Sequence, residues 1–293
     1  MNLVEVFTKY PDHAACIEHL EELRFGDSPY CPHCGSSRVA RKADNGRVGR
    51  WNCHECRSSF NVLSGTLFQG TKVQLQLWFL AISLMVNAKK SISSCQLARD
   101  LDVNQKTAWY MQQRIRAEMA SKQQEIVLQG VIEADETWIG GKPRKPNRRD
   151  DDGPGAPRGR ATAKTPVIGA VERGGKVVAE VARDLTGKGI LKFIRKSVDT
   201  SGSLLITDEY RAYNAARRMM PHSVVNHRRE YASGSSHTNT IEGVWSLLKR
   251  AWYGSHHHYA KEWLPLYVAE ACWKYNNRRE RNAFGQFMQG CFA

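Results

Sequence analysis

The sequence predicts an α/β protein in which a mixed sheet flanked by helices follows a small cysteine-rich ribbon and a helical module. Three observations predict it. Two C-x2-C pairs, Cys31/Cys34 and Cys53/Cys56, stand near the N-terminus. Apolar residues then recur at three- and four-residue steps between residues 72 and 122, among them Leu75, Trp78, Phe79, Ile82 and Met85. Beyond Gln129 the period shortens to that of strands, beginning with Val131-Ile-Glu-Ala-Asp135.

A chain of 293 residues is long enough for about two domains and a small third module. Hydrophobic residues at 41% and charged residues at 25% are those of a globular chain. No apolar run approaches the ~20 residues that span a bilayer. The nearest, residues 75–86, is shorter and amphipathic, and the N-terminus lacks the basic-then-apolar order of a secretory signal. An intracellular, cytoplasmic protein with no membrane partner is therefore expected. The formal charge of +14 and pI near 9.5 imply an anionic partner, nucleic acid ahead of an anionic membrane surface. The same surplus also serves solubility alone.

The elements follow in order. Residues 1–25 read as a helical lead, with Val6, Phe7, Ile17, Leu20 and Leu23 as its apolar positions. Residues 26–66 carry the two cysteine pairs, separated by eighteen residues. Eight cysteines in an intracellular chain argue against a disulfide framework. Two such knuckles supply four thiolates in a tetrahedron, which suits structural Zn2+, and so short a segment folds around its metal. Four unrelated core thiols would not need the paired spacing. His33 and His54 lie inside the knuckles, but Cys31, Cys34, Cys53 and Cys56 already complete the shell.

Residues 67–124 form the helical module. Ser94 to Leu101, then Asp102-Val-Asn104, then a helix from Gln105 rich in Gln, Lys and Arg resemble a helix-turn-helix. A structural helical hairpin has the same punctuation. Residues 128–285 form the sheet-bearing domain. Val131–Ile139 is a strand, and residues 140–164, crowded with Gly, Pro, Lys, Arg and three aspartates, read as a basic surface loop. Strands at 165–172 and 176–183 form a hairpin through Arg173-Gly174-Gly175. A helix at 187–198 crosses over to a parallel strand ending at Asp208. A helix at 210–219, a strand near 223–226 and helices from Thr240 and Tyr259 complete the domain.

Three acids fall at element positions where a fold can make them converge: Asp135 on a strand, Asp208 at a strand end and Glu242 in the first turn of a helix. Phosphoryl transfer by two divalent cations, about 3.5–4 Å apart, needs such convergence. The flanking residues are Asp135-Glu-Thr-Trp-Ile-Gly-Gly-Lys142, Thr207-Asp208-Glu-Tyr-Arg-Ala-Tyr213 and His237-Thr-Asn-Thr-Ile-Glu242-Gly-Val-Trp-Ser-Leu-Leu-Lys249-Arg250. With the cysteine pairs, these motifs resemble bacterial insertion-sequence transposases of the DDE superfamily that carry an N-terminal zinc ribbon, over nearly the whole chain. The 34 positions between Asp208 and Glu242 suit that superfamily, as does Lys249 seven residues after the glutamate. The long basic loop after the first aspartate departs from the simplest pattern.

The resemblance implies an RNase H-like domain in which Asp135, Asp208 and Glu242 hold Mg2+ or Mn2+, with Lys249 approaching phosphate. It implies cleavage and strand transfer on double-stranded DNA, both terminal inverted repeats and target, by a homo-oligomer in a synaptic complex of the bacterial nucleoid. Other roles are open to each acid. Asp135 is also an ordinary strand carboxylate, with Glu133 a rival ligand on the same face. Asp208 is placed to cap the following helix, with Glu209 beside it. Asn239-Thr-Ile-Glu242 fits a capping box. Lys249 has a solvated alternative, and Trp245, Leu248 and Trp252 form a packing stripe beside it. His256-His-His258 reads as an exposed loop touching DNA, and Tyr275-Asn-Asn-Arg-Arg279 as a basic helix end near phosphate or a plain terminus. A DNA-binding regulator with a dead catalytic domain and a simple metal-dependent nuclease are the alternative functions.

Overall fold

The computed structural model describes residues 1–42, 49–141, 164–225 and 237–292. The predicted basic loop lies almost wholly outside them, as do Lys142 and residue 226 of the predicted strand. The chain divides into two compact units, Met1–Glu118 with Arg279–Ala293, and Met119–Arg278.

In the first unit the predicted helical lead is two helices, α1 (Leu3–Lys9) and α2 (His13–Phe25). Pro11 is the reason, because it cannot donate and it pushes Tyr10 out of the helical region. Each helix has its own start: Asn2 and Glu5 form a capping box, and Asp12 accepts the Ala15 N–H at 2.8 Å. The ribbon is an antiparallel sheet of β1 (Val39–Arg41), β2 (Arg50–Cys53) and β3 (Ser59–Asn61) in that order. Helix α3 (Leu75–Asn87) buries Leu75, Trp78, Phe79, Ile82 and Met85, the stripe its period predicts. Helices α4 (Ser94–Leu101) and α5 (Gln105–Ser121) are joined by a three-residue turn. Ser93 caps α4, Asp102 ends it in the left-handed region (φ 51°, ψ 47°), and the Asn104 side chain accepts the Thr107 N–H at 2.8 Å to start α5. A further helix, Ala283–Gly290, packs on α2 and α3 and lay beyond the predicted elements.

The second unit is built on a five-stranded mixed sheet. Its strands are β4 (Val131–Ile139), β5 (Thr165–Glu172), β6 (Val177–Val181), β7 (Leu204–Thr207) and β8 (His222–Val224), in the order β6-β5-β4-β7-β8. Strand β5 is antiparallel to β4 and β6, while β7 and β8 run parallel to β4. Helix α6 (Gly187–Ser197) supplies the crossover into β7. Beyond β8 come α7 (Asn239–Ala251) and α8 (Leu264–Asn276). The alternation of β5 divides the core: Val167 and Val171 meet α7 and α8 on one face, and Ile168 and Ala170 meet α6 on the other.

Two predicted helices differ. Residues 210–219 form a 3₁₀ helix, Arg211–Arg218. The helix expected from Tyr259 begins at Leu264, with Pro265 in its first turn, because a π-helical turn at Trp252–His256 and His257 at φ 57° first redirect the chain. Among the described residues no helix is long and apolar enough to cross a membrane.

Candidate functional site

Asp135 and Asp208 come together because β4 and β7 are adjacent and parallel. The ladder runs to Glu133 opposite Ile206, so Asp208, one residue past the end of β7, falls beside Asp135. One carboxylate oxygen from each of Asp135, Glu136 and Asp208 lies within 4.8 Å of the other two. Among the described residues no Lys, Arg or His forms an ion pair with either aspartate. Burial first, then the charges of Glu136 and Asp208, push the Asp135 carboxyl up to about 7, against hydrogen bonds from the Glu136 backbone and Trp245. Crowded carboxylate oxygens fit a hard divalent cation, whose ligands are oxygens.

Glu136 was not among the predicted ligands. Strand alternation sends it to the opposite face from Asp135, where it is buried and accepts a hydrogen bond from Tyr213 Oη at 3.2 Å. The adjacent Asp-Glu pair was the available signal. Burial, followed by the charges of Glu136, Asp135 and Asp208, raises the Tyr213 phenol well above its ordinary range. Asp208 does not cap the following helix: its Oδ1 accepts the Tyr210 N–H at 3.0 Å in a turn before it, and the cap residue is Tyr210, with no side-chain cap hydrogen bond.

Glu242 lies outside the three-acid group. It is exposed in the first turn of α7, and its Oε1 accepts from Thr238 Oγ1 at 3.3 Å. The capping box that Asn239–Glu242 offers as an alternative is absent: the cap residue is Thr238, and it makes no side-chain cap hydrogen bond. The first-turn donors go instead to Glu133 on β4. Its fully buried carboxylate accepts from Thr240 N (2.8 Å), Thr240 Oγ1 (2.8 Å), Ile241 N (3.1 Å) and Arg173 Nε (2.7 Å). His237 Nδ1 is 3.3 Å away. Glu133 thus shares a face with Asp135, as expected of a rival ligand, but the helix start occupies it.

Ile241, Val244, Trp245, Leu248 and Trp252 make the buried stripe of α7. Glu242 and Lys249 stand seven residues apart on one flank of it, nearly in line. Lys249 borders a groove of about 240 Å³ together with Gly140, Lys164 and the exposed Tyr253. His256 packs against Tyr259 and Tyr267, leaving His257 and His258 as the exposed pair. The basic end of α8 is largely committed to the protein: Asn276 both donates to and accepts from Val177 backbone, and Arg278 donates to the Gly175 and Tyr275 carbonyls.

In the ribbon, the sulfurs of Cys31, Cys34, Cys53 and Cys56 all lie within 4.8 Å of one another. Cys31–Cys56 and Cys34–Cys53 are each 3.6 Å apart. A tetrahedron with metal–sulfur bonds of about 2.3 Å has edges near 3.8 Å, so the thiol set fits zinc and is far too open for disulfides. Hydrogen bonds from the Ser58 side chain and backbone hold the Cys56 thiol down at about 6.

Two family models match the chain. Residues 127–276 match an ISXO2-like transposase domain, and residues 11–59 match a transposase zinc-ribbon domain. A protein described as uncharacterized, in the transposable element ISH50 of Halobacterium salinarum, is 29% identical over 258 residues, covering 85% of this chain and 86% of that protein. Among solved structures, the Mos1 strand transfer complex is similar at 12% identity and a TM-score of 0.32, covering 67% of this chain and 72% of its own. The Mos1 mariner paired-end complex with Mn is similar at 13% identity and 0.27, covering 66% and 74%.

Proposed function

The chain belongs to the ISXO2-like transposase family, and on that premise we propose that it binds the terminal inverted repeats of an insertion sequence and performs Mg2+- or Mn2+-dependent DNA cleavage and strand transfer. Asp135, Asp208 and Glu242 hold the divalent cations, and Cys31, Cys34, Cys53 and Cys56 hold structural zinc. The cations, when bound, polarise the scissile phosphate and make water a competent nucleophile near neutral pH. The chain's own residues supply placement. Asp135, in the middle of β4, and Asp208, just past the end of β7, fix one side of the site, and Glu242 closes it from α7. Lys249, on the same flank of that helix, neutralises a neighbouring phosphate. No side chain need form a covalent bond to DNA, because the 3′-hydroxyl released by cleavage is itself the nucleophile for target DNA.

The ribbon and the α4–α5 pair position the repeat, through phosphate contacts for register and a few base contacts for identity. Joining two ends requires more than one subunit, so the working form on DNA is a homo-oligomer. The observation that carries the proposal is the meeting of Asp135, in the middle of β4, with Asp208, just past the end of the parallel β7, and neither aspartate has an ion pair among the described residues. Asp208→Asn tests it: Mn2+-dependent cleavage of end DNA should vanish while end binding persists. Full cleavage by that variant would remove the assignment. Cleavage without any joined product in the parent protein would favour a nuclease.

A further inference from the structure

We infer that Glu133 is a positioning residue for the metal centre: its carboxylate sets the register of α7 on β4 and so determines where Glu242 is presented. The inference rests on the reading of Asp135 and Asp208 as cation ligands. A helix normally meets its first N–H groups with a local side chain, and α7 does not. Glu133 takes the Thr240 and Ile241 N–H groups from 107 and 108 positions away. Two residues further along the strand, Asp135 accepts the Trp245 Nε1–H at 3.0 Å. The strand advances about 7 Å between those carboxylates, and the helix about 7 Å between the paired donors. The two contacts are therefore in step, and α7 runs in the direction of β4 with its register fixed at two points. Because the capping is done from the strand, Glu242 is released from capping its own helix.

The carboxylate is also tied from behind. Arg173, which follows β5, donates to Glu133 and, at 2.7 Å, to the His237 carbonyl just before α7. One buried anion thus joins β4, the β5–β6 turn and the helix start. A negative charge there is favoured by the helix dipole as well as by Arg173. Residues that orient ligands without touching the metal typically change affinity or activity by about 10–100-fold when altered.

Glu133→Gln preserves shape while removing the charge and one acceptor. In full-length protein with end DNA, kcat should fall and the Mn2+ concentration for half-maximal cleavage should rise, each by about tenfold or more, at unchanged KM for DNA. Glu133→Asp, which keeps the charge, should recover part of both. Should Glu133→Gln fail to fold, Thr240→Val and Arg173→Gln remove single partners and should each raise the Mn2+ requirement. Unchanged Mn2+ dependence in the folded variants, even with lowered stability, would make Glu133 a plain structural cap and overturn the inference. Asp135→Asn is the separate control: cleavage surviving there would defeat the metal site itself.

Discussion

Trp245 Nε1 donates to Asp135 Oδ2 at 3.0 Å, and the same indole lies against Gly169, the residue opposite Asp135 on β5. A Cβ on Gly169 would stand 2.5 Å from Trp245 Cη2 and 2.9 Å from Cζ2. Glycine is needed there for the ring to lie flat enough to reach the aspartate. Gly169→Ala should therefore push the indole off the sheet, costing about 1–3 kcal/mol by overpacking. It should also lower Mn2+-dependent cleavage. Denaturant unfolding followed by tryptophan fluorescence, beside a cleavage assay, would check both. Wild-type behaviour in both would mean the ring does not hold Asp135.

Asp135 also makes stability depend on pH in an unusual direction. Its carboxyl is near 7 in the folded chain and 3.8 as a free group, so between those values the native state holds a proton that the unfolded state has lost. Stability from this group is complete below about 4 and is lost as pH rises through 7, by up to about 4 kcal/mol. The metal-free protein should thus melt lower at pH 8 than at pH 5.5, and Asp135→Asn should flatten that slope while raising Tm at pH 8. Mn2+ should restore the parent at pH 8 and do little at pH 5.5, where protons compete. Thermal melts at the two pH values decide it, and an unaltered slope in the variant would refute the assignment of burial and crowding to Asp135.

Local signals made much of this legible in the sequence. The cysteine spacing marks the ribbon, alternation in Val131–Ile139 and Thr165–Glu172 marks the central strands, and the crossover through α6 makes β7 parallel, which is what brings Asp208 to Asp135. The relationships that escaped are tertiary. Glu136 joins the acids although alternation places it on the other face. Nothing near Thr240 in the chain indicates that its N–H is met by Glu133, because the local Asn239-Thr-Ile-Glu242 sequence offers a complete capping box of its own. The start of α8 was obscured by a π-helical turn, which no apolar period announces.

Zinc removal should act on the ribbon alone. The four ribbon thiols cluster within 4.8 Å of one another, whereas Cys16 and Cys272 are buried outside that cluster. Cys53→Ser should lose the bound zinc, roughly one ion per chain, and with it the order of β1–β3, since so short a segment folds with its metal. Elemental analysis and limited proteolysis would report both. A stable Cys53→Ser protein with full zinc content would rule out the four-thiolate site.

The α4–α5 pair offers the sharpest test of DNA recognition. Ala108, Met111 and Ile115 are buried, so α5 turns Gln105, Lys106 and Tyr110 outward at its N-terminal end, the part of a recognition helix that meets base edges. Gln105 is partly engaged with Ser94 Oγ at 2.7 Å, which leaves Lys106 the more available contact. If Lys106 meets phosphate, Lys106→Ala should weaken binding to end and random DNA alike and reduce the salt slope by about 1. If it meets a base, the loss should be confined to end DNA, about 1–3 kcal/mol. Asn104→Ala separates geometry from contact, because it removes only the cap on Thr107, at a cost of about 1 kcal/mol in stability. Its effect on binding should be smaller than that of Lys106→Ala. Titrations at two salt concentrations distinguish these outcomes, and unchanged affinity in the Lys106 variant would identify the pair as a structural hairpin.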